Sequence, residues 1–146
     1  MTNCVLCKDD LKPEEGELIW RGDYCRVIMV DDPELPGFCR VIWNQHVPEM
    51  SDLTYGERDH LMSLVFVVEE TIREVMDPDK VNLAALGNMV PHIHWHIIPR
   101  FKDDAFFPGS AWSQKMQETP KSVLSMRKER ALQLPEKIRA AIANLY

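Results

Sequence analysis

No run of apolar residues in this 146-residue chain approaches the roughly 20 residues that a membrane-crossing helix needs. The polar start Met1-Thr2-Asn3-Cys4 carries no apolar core of a secretory signal. Cysteine is sparse: four residues in a chain of this length do not make a disulfide scaffold. There is no excess of positive charge either, and a net charge of −6 argues against broad nucleic-acid or membrane surfaces. It leaves open a small anionic substrate held by a few local donors. Neither an internal repeat nor a low-complexity segment is present. What these absences leave is a cytoplasmic globular protein, one domain over residues 1–146, whose 45% apolar content suffices for a real core.

Histidine is also scarce, but three of the five histidines fall in one stretch, Asn88-Met89-Val90-Pro91-His92-Ile93-His94-Trp95-His96-Ile97-Ile98-Pro99-Arg100. A spacing of two is the strand period, so His92, His94 and His96 are expected to share one face, with Ile93, Trp95 and Ile97 on the other. Pro91 and Pro99 are read as the bracketing residues of that strand.

The rest of the chain supplies the framework. Glu17–Arg21, Cys25–Val30 and Phe38–Asn44 read as strands joined by turn-rich segments, with Cys25 and Cys39 as core thiols. Lys8–Gly16 reads as a loop. Thr54-Tyr55-Gly56-Glu57 has the form of a capping box, and Leu61, Leu64, Val65, Val68, Ile72, Val75 and Met76 follow at helical spacing. Asp77-Pro78 stops that helix, and His60 near its start reads as an exposed, uncommitted histidine. Lys80–Leu86 gives a fourth strand. The aromatic segment 101–112 suits a loop packed over a site or an interface. Residues from about 120 to 146 form a helical extension, with Pro135 suited to a first helical position. The order βββαββα is an α+β plan: an antiparallel sheet of about five strands, one long helix and a C-terminal helix.

Cys4-Val5-Leu6-Cys7 admits two readings. As a zinc motif it needs two more ligands, for which His46 and His92 are candidates; otherwise both thiols are reduced and partly buried. The histidine strand likewise admits two mechanisms. Alternate imidazoles can hold a catalytic metal, but such a site usually adds a carboxylate, and no glutamate lies between Glu74 and Glu118; Asp103 and Asp104 are the remaining substitutes. Alternatively, a neutral imidazole nitrogen attacks phosphorus while a backbone carbonyl holds the proton on the opposite ring nitrogen. A second histidine on the same face then donates to phosphate oxygens or to the leaving group, and no metal is required. His94, flanked by both partners, is the natural nucleophile.

His92-Ile93-His94-Trp95-His96-Ile97-Ile98, entered from Gly87-Asn88 and closed by Pro99-Arg100, resembles the histidine triad motif of the HIT superfamily. Cys4 to Lys8 resembles the amino-terminal Cys-x-x-Cys-Lys of many bacterial members, and Pro36-Gly37 and His46 also fall where the family places them. The resemblance implies a homodimer that binds a purine-nucleotide-type small molecule. It implies hydrolysis or transfer of nucleoside monophosphates from phosphoramidates, dinucleoside polyphosphates or aminoacyl adenylates. It assigns His94 as the nucleophile of a nucleotidyl-histidine intermediate, His96 to the phosphate and leaving group, and His92 as support from the strand's entrance. Asn88 would bind phosphate, and Asp31 or Asp32 would lie near the ribose. In zinc-containing members two cysteines join histidines in the places of His46 and His92, which favours a structural zinc on Cys4, Cys7, His46 and His92. The chain departs from the pattern in its short, apolar turn Leu83–Asn88, in Met89 where a hydroxyl side chain is common, and in Phe38 where many members have histidine. Two alternatives stay in view: a metal-dependent hydrolase with the triad as ligands, and, from the altered phosphate turn, a nucleotide sensor with little catalysis.

Overall fold

Five stretches are extended in the computed structural model, which describes residues 4–8 and 11–145. They are β1 (Gly16–Arg21), β2 (Cys25–Val30), β3 (Cys39–Trp43), β4 (Lys80–Ala84) and β5 (His94–Arg100). All pair antiparallel, in the spatial order β1-β2-β3-β5-β4. Three helices complete the fold: α1 (Tyr55–Met76), α2 (Lys121–Ala131) and α3 (Leu134–Ala143). The expected α+β plan is the observed one. Of the loop read at Lys8–Gly16, Asp9 and Asp10 lie outside the described residues, as does the start Met1–Asn3; Pro13–Glu15 forms a single 3-10 turn.

Local chemistry accounts for the elements. Thr54 caps α1 by accepting from the Glu57 N–H at 3.1 Å, while the Glu57 carboxylate accepts from the Thr54 N–H at 2.8 Å. The helix ends where Asp77 turns left-handed at φ 48°, and Pro78 cannot continue it. Its stripe Leu61, Leu64, Val65, Val68, Ile72 and Met76 is buried, with Val75 only half so. Thr71, buried on the same side, returns its hydroxyl to the Val67 carbonyl at 2.8 Å.

This stripe packs on one face of the sheet, against Cys25, Val27, Cys39, Val41, Trp43 and Ile97. Ala131, Leu134, Ile138 and Ile142 belong to the same cluster. The C-terminal segment is therefore two helices rather than one, and it is part of the core. Pro135 occupies the second helical position, not the first, since α3 begins at Leu134.

The histidine stretch differs from expectation in two ways. The strand begins at His94, so His92 precedes it. Pro99 lies inside β5, opposite Val81, rather than bracketing it. The last β3 pair is Cys39 with Ile97, so β5 has only β4 beside it at Pro99, an edge-like place that a residue lacking an N–H tolerates. β4 also stops at Ala84, two residues short of the expected Leu86. His60 is half-buried, its ring edge-on to Tyr24 at 5.6 Å, rather than exposed.

Candidate active site and metal-binding cluster

Helices cover one face of the sheet. On the other face, two cross-strand rows carry the chemistry. One runs Leu18, Ile28, Arg40, His96 and Ala84 through all five strands; the next runs Arg21, Arg26, Ile42 and His94. Directly opposed residues of an antiparallel ladder share a face, so register alone brings His94, His96 and Arg40 together.

His94 is half-buried, and its Nδ1–H donates to the His92 carbonyl at 2.6 Å. That bond places the ring proton on Nδ1 and leaves the Nε2 lone pair free. Burial holds the His94 imidazole below its ordinary pKa, the carbonyl pulls it back and Arg40 pushes it down again; the ring is neutral at pH 7. His96 is 5% exposed and receives Arg40 Nε–H at its Nδ1, 3.2 Å away. The His96 proton therefore sits on Nε2. Burial first, then Arg40 and His94, push its pKa down to about 3. The two rings meet edge-on, 4.8 Å between centroids.

Aromatic rings wall the far side. Trp112 stands edge-on to His96 at 4.8 Å, and Phe38 does so at 5.7 Å. Trp112 belongs to the loop 101–112, which a buried ion pair ties down. Arg100 donates to both carboxylate oxygens of Asp104 at 2.8 and 3.0 Å, and onward to Asn82 and the Gly109 carbonyl, each at 2.8 Å. Asp104 also accepts the N–H groups of Phe101, Phe106 and Phe107. Asp103 pairs with Arg127 at 2.7 Å. Neither aspartate joins the histidines as a metal donor, so the substitutes considered for a catalytic metal are committed elsewhere.

His92 faces away from this site. Its Nε2–H donates to the Trp43 carbonyl, and its Nδ1 lies 3.4 Å from Cys4 Sγ and 3.6 Å from Cys7 Sγ. Cys7 Sγ in turn lies 3.4 Å from His46 Nδ1. The turn Val5–Cys7 sets both thiols on one side, and one donor atom from each of the four residues lies within 4.8 Å of all the others. Zinc bonds of about 2.3 Å to sulfur and about 2.0–2.1 Å to nitrogen, at tetrahedral angles, separate sulfur from nitrogen by about 3.6 Å. The four donors fit a closed tetrahedral site.

The remaining expected residues are less gathered. Asn88 is exposed in the turn after β4, beside Met89, which is 94% exposed. Asp31 and Asp32 line a separate cavity of about 350 Å³ between β2 and α2, a cavity bordered by none of the triad histidines. Asp32 accepts the Glu34 and Leu35 N–H groups at 3.0 and 3.2 Å, and its charge is felt at Arg40. On the histidine face lies a smaller cleft of about 110 Å³, floored by Leu18, Ile28 and Ile42, rimmed by Lys8, Glu15, Arg21, Arg26 and Arg40, and likewise bordered by none of the triad histidines. Sequence reasoning passed over Arg40 and this cleft. The signal was present, since an arginine alternating with Cys39 and Val41 in a core strand must occupy the opposite face.

Comparison with known proteins agrees with the motif. The HIT domain model matches residues 12–103. The chain is 39% identical over 97 residues to the asymmetrical bis(5'-nucleosyl)-tetraphosphatase of Schizosaccharomyces pombe, covering 63% of this chain and 53% of that protein. It is 31% identical over 103 residues to the AP-4-A phosphorylase of Mycobacterium tuberculosis, covering 66% and 53%. The chain thus spans about half the length of the curated relatives it matches. Among solved structures, a histidine triad protein from Bradyrhizobium japonicum superposes with a TM-score of 0.69 at 27% identity, covering 88% of this chain and 97% of that one. A zinc-bound histidine triad family protein from Mycobacterium smegmatis shares the fold, with a TM-score of 0.65 at 18% identity and 98% of each chain covered. With the motif, the sheet register and the matched family model in agreement, this chain belongs to the HIT domain family.

Proposed function

We propose that the protein is a nucleotide hydrolase or nucleotidyl transferase that cleaves phosphoanhydride bonds of dinucleoside polyphosphates through a covalent intermediate on His94. The observation that carries this reading is the 2.6 Å bond from His94 Nδ1–H to the His92 carbonyl, which presents a neutral imidazole with a free Nε2 lone pair. The lone pair attacks the phosphorus of the nucleoside monophosphate unit. A P–N bond forms as the P–O bond to the remaining polyphosphate breaks, and that oxygen leaves with the electron pair. Water, or a phosphate acceptor in a transfer reaction, then attacks the same phosphorus. The P–N bond breaks, its electron pair returns to Nε2, and the attacking group's proton passes to solvent.

His96 donates a hydrogen bond from Nε2–H to the phosphoryl oxygens. With its pKa near 3 it stays neutral and is a poor proton donor at pH 7. A polyphosphate departs as an anion and needs no proton, whereas an amine does. Anhydride substrates are in keeping with the names of the curated relatives. The cleft beside Ile28 and Ile42, with Arg26 and Arg40 at its wall, offers the nucleotide an apolar floor and a basic rim. Asn88 contributes to phosphate binding from the turn, and Asp31 or Asp32 to the ribose side.

The test is His94→Ala. It is expected to lower turnover of diadenosine tetraphosphate by roughly 10⁴-fold or more, the scale of losing a covalent nucleophile, while AMP still binds. Turnover surviving in this variant overturns the mechanism. The exposed turn at Asn88 and Met89 favours one second reading, a nucleotide sensor; tight AMP binding with no turnover of polyphosphates or phosphoramidates by the wild type would establish it.

Cys4, Cys7, His46 and His92 hold a structural zinc in this reading. Four protein ligands leave no open coordination position, so the metal would supply closure of the N-terminal segment onto the sheet rather than a reactive water. The Nε2–H of His92 on the Trp43 carbonyl orients the ring for that duty. We also read the protein as a homodimer. The apolar stripe of α1 is used up in the core, but the outer edge of β4 and the half-exposed Phe66 remain on the surface.

A further inference from the structure

Arg40 lies in the middle of the sheet, with Ile28 opposite on β2 and His96 opposite on β5. Arg40 is half-buried, its guanidinium set among Ile28, Ile42 and Phe38 at the wall of an open cleft, where a charge is best stabilised by a partner. Burial does push Arg40 below its ordinary pKa, with Asp32 only partly restoring it. Yet its hydrogen bonding, among the described residues, stops at Nε–H to His96 Nδ1; Nη1 and Nη2 have no partner, and its only other contact of note is the Phe38 ring, 5.6 Å away. No carboxylate among the described residues forms an ion pair with it. A planar fork with one arm fixed on an imidazole and two donors unused, beside the nucleophile, is shaped for an oxyanion.

We propose that Arg40 has two tasks: its Nε–H holds His96 in the Nε2–H tautomer, and its Nη1 and Nη2 receive non-bridging oxygens of the phosphoryl group attacked by His94. This rests on the reading of His94 as nucleophile. Phosphoryl transfer depends chiefly on positioning and on donors aimed at the charge of the transferred group. The turn after β4 supplies no charge for that, since Asn88 is neutral and the exposed Met89 side chain has no donor. Arg40 brings the missing charge from the sheet instead of the loop. The same arrangement makes the site selective for an anionic phosphoryl group over a neutral ester, because a neutral group leaves the guanidinium unpaired.

Wild type, Arg40→Leu and Arg40→Lys decide the matter, each checked for folding by thermal unfolding. Three quantities are read: kcat on diadenosine tetraphosphate, affinity for AMP relative to adenosine, and the ¹⁵N NMR tautomer signature of His96. Arg40→Leu is expected to lower kcat by about 100-fold, the effect of removing one transition-state donor. It should also erase the preference for AMP over adenosine and release His96 into a tautomer mixture. Arg40→Lys should regain much of the AMP preference without restoring the single tautomer, since an ammonium supplies charge but no fork. A folded Arg40→Leu with kcat within twofold of wild type, or with the His96 tautomer unchanged, overturns the proposal. Should Arg40→Leu fail to fold, a folded Arg40→Lys equal to wild type in both kcat and tautomer overturns it. A wild type that never turns over polyphosphate is a failure of the nucleophile reading and removes the phosphoryl task of Arg40; the tautomer of His96 still decides the positioning task.

Discussion

His94 and His96 are two residues apart and chemically identical in sequence, yet their protons sit on opposite ring nitrogens. The difference lies in one partner each: a carbonyl that accepts from His94 Nδ1 and an arginine that donates to His96 Nδ1. His96 also shapes the pH dependence of stability. An unfolded histidine takes up its proton near pH 6.5, the folded His96 only near pH 3. Between those values the unfolded state binds more protons, so the stabilisation is complete above pH 6.5 and is lost as pH falls towards 3. Chemical denaturation of His96→Gln against wild type should show a shallower loss of stability from pH 6.5 to 4; parallel profiles would refute this. Cys25 and Cys39, buried in the strands, are inert by the same logic, with burial pushing the Cys25 thiol up to about 12 and Cys39 also upwards.

Among the elements, the loop 101–112 is anchored by the buried Arg100–Asp104 ion pair, with Asp103 to Arg127 beside it. Burial alone would raise Asp104, but Arg100 and the loop N–H groups outweigh it and hold the carboxyl below its ordinary range. That contribution is present above the unfolded carboxylate pKa and is lost as pH falls through the folded one. Breaking a buried pair from one side leaves a charge without a counterpart. Asp104→Asn should therefore destabilise the protein by about 3–5 kcal/mol in urea unfolding. It should also raise the KM for diadenosine tetraphosphate, because Trp112 is carried on the same loop; an unchanged KM would detach the loop from the site. The α1 cap is smaller in scale. Thr54→Ala removes the hydrogen bond to the Glu57 N–H and should cost about 1 kcal/mol, with kcat unaltered.

For the whole molecule, the cluster of Cys4, Cys7, His46 and His92 joins three distant parts of the chain: the N-terminal turn, the segment after β3 and the approach to β5. Elemental analysis of the purified protein should find about one zinc per chain. If that zinc is structural, as proposed, chelation should lower Tm more than it lowers kcat of the molecules that remain folded. Loss of kcat with Tm unchanged would place the metal in the reaction instead. The free edge of β4 and the exposed Phe66 predict a sedimentation mass of twice the chain, and Phe66→Glu should reduce it to one. A wild-type monomer at working concentration removes the homodimer.

The sequence by itself determined the strands, the long helix with its capping box, and a strand of alternating histidines, because each is a local periodicity or a local hydrogen-bond pattern. It also brought Cys4, Cys7, His46 and His92 together through resemblance, and the four donors do converge. Several features were decided only by tertiary structure. β5 starts at His94 because Ile93 is held by the Val47 carbonyl and the Trp43 N–H, and this turns His92 towards the thiols. Asp104 closes on Arg100 instead of serving a metal because the loop folds back on the strand end. Arg40 reaches His96 across a register that joins residues 56 apart, and no local pattern encodes which strand lies next to which. Period two places a side chain on a face, and only the pairing of strands decides what it meets there.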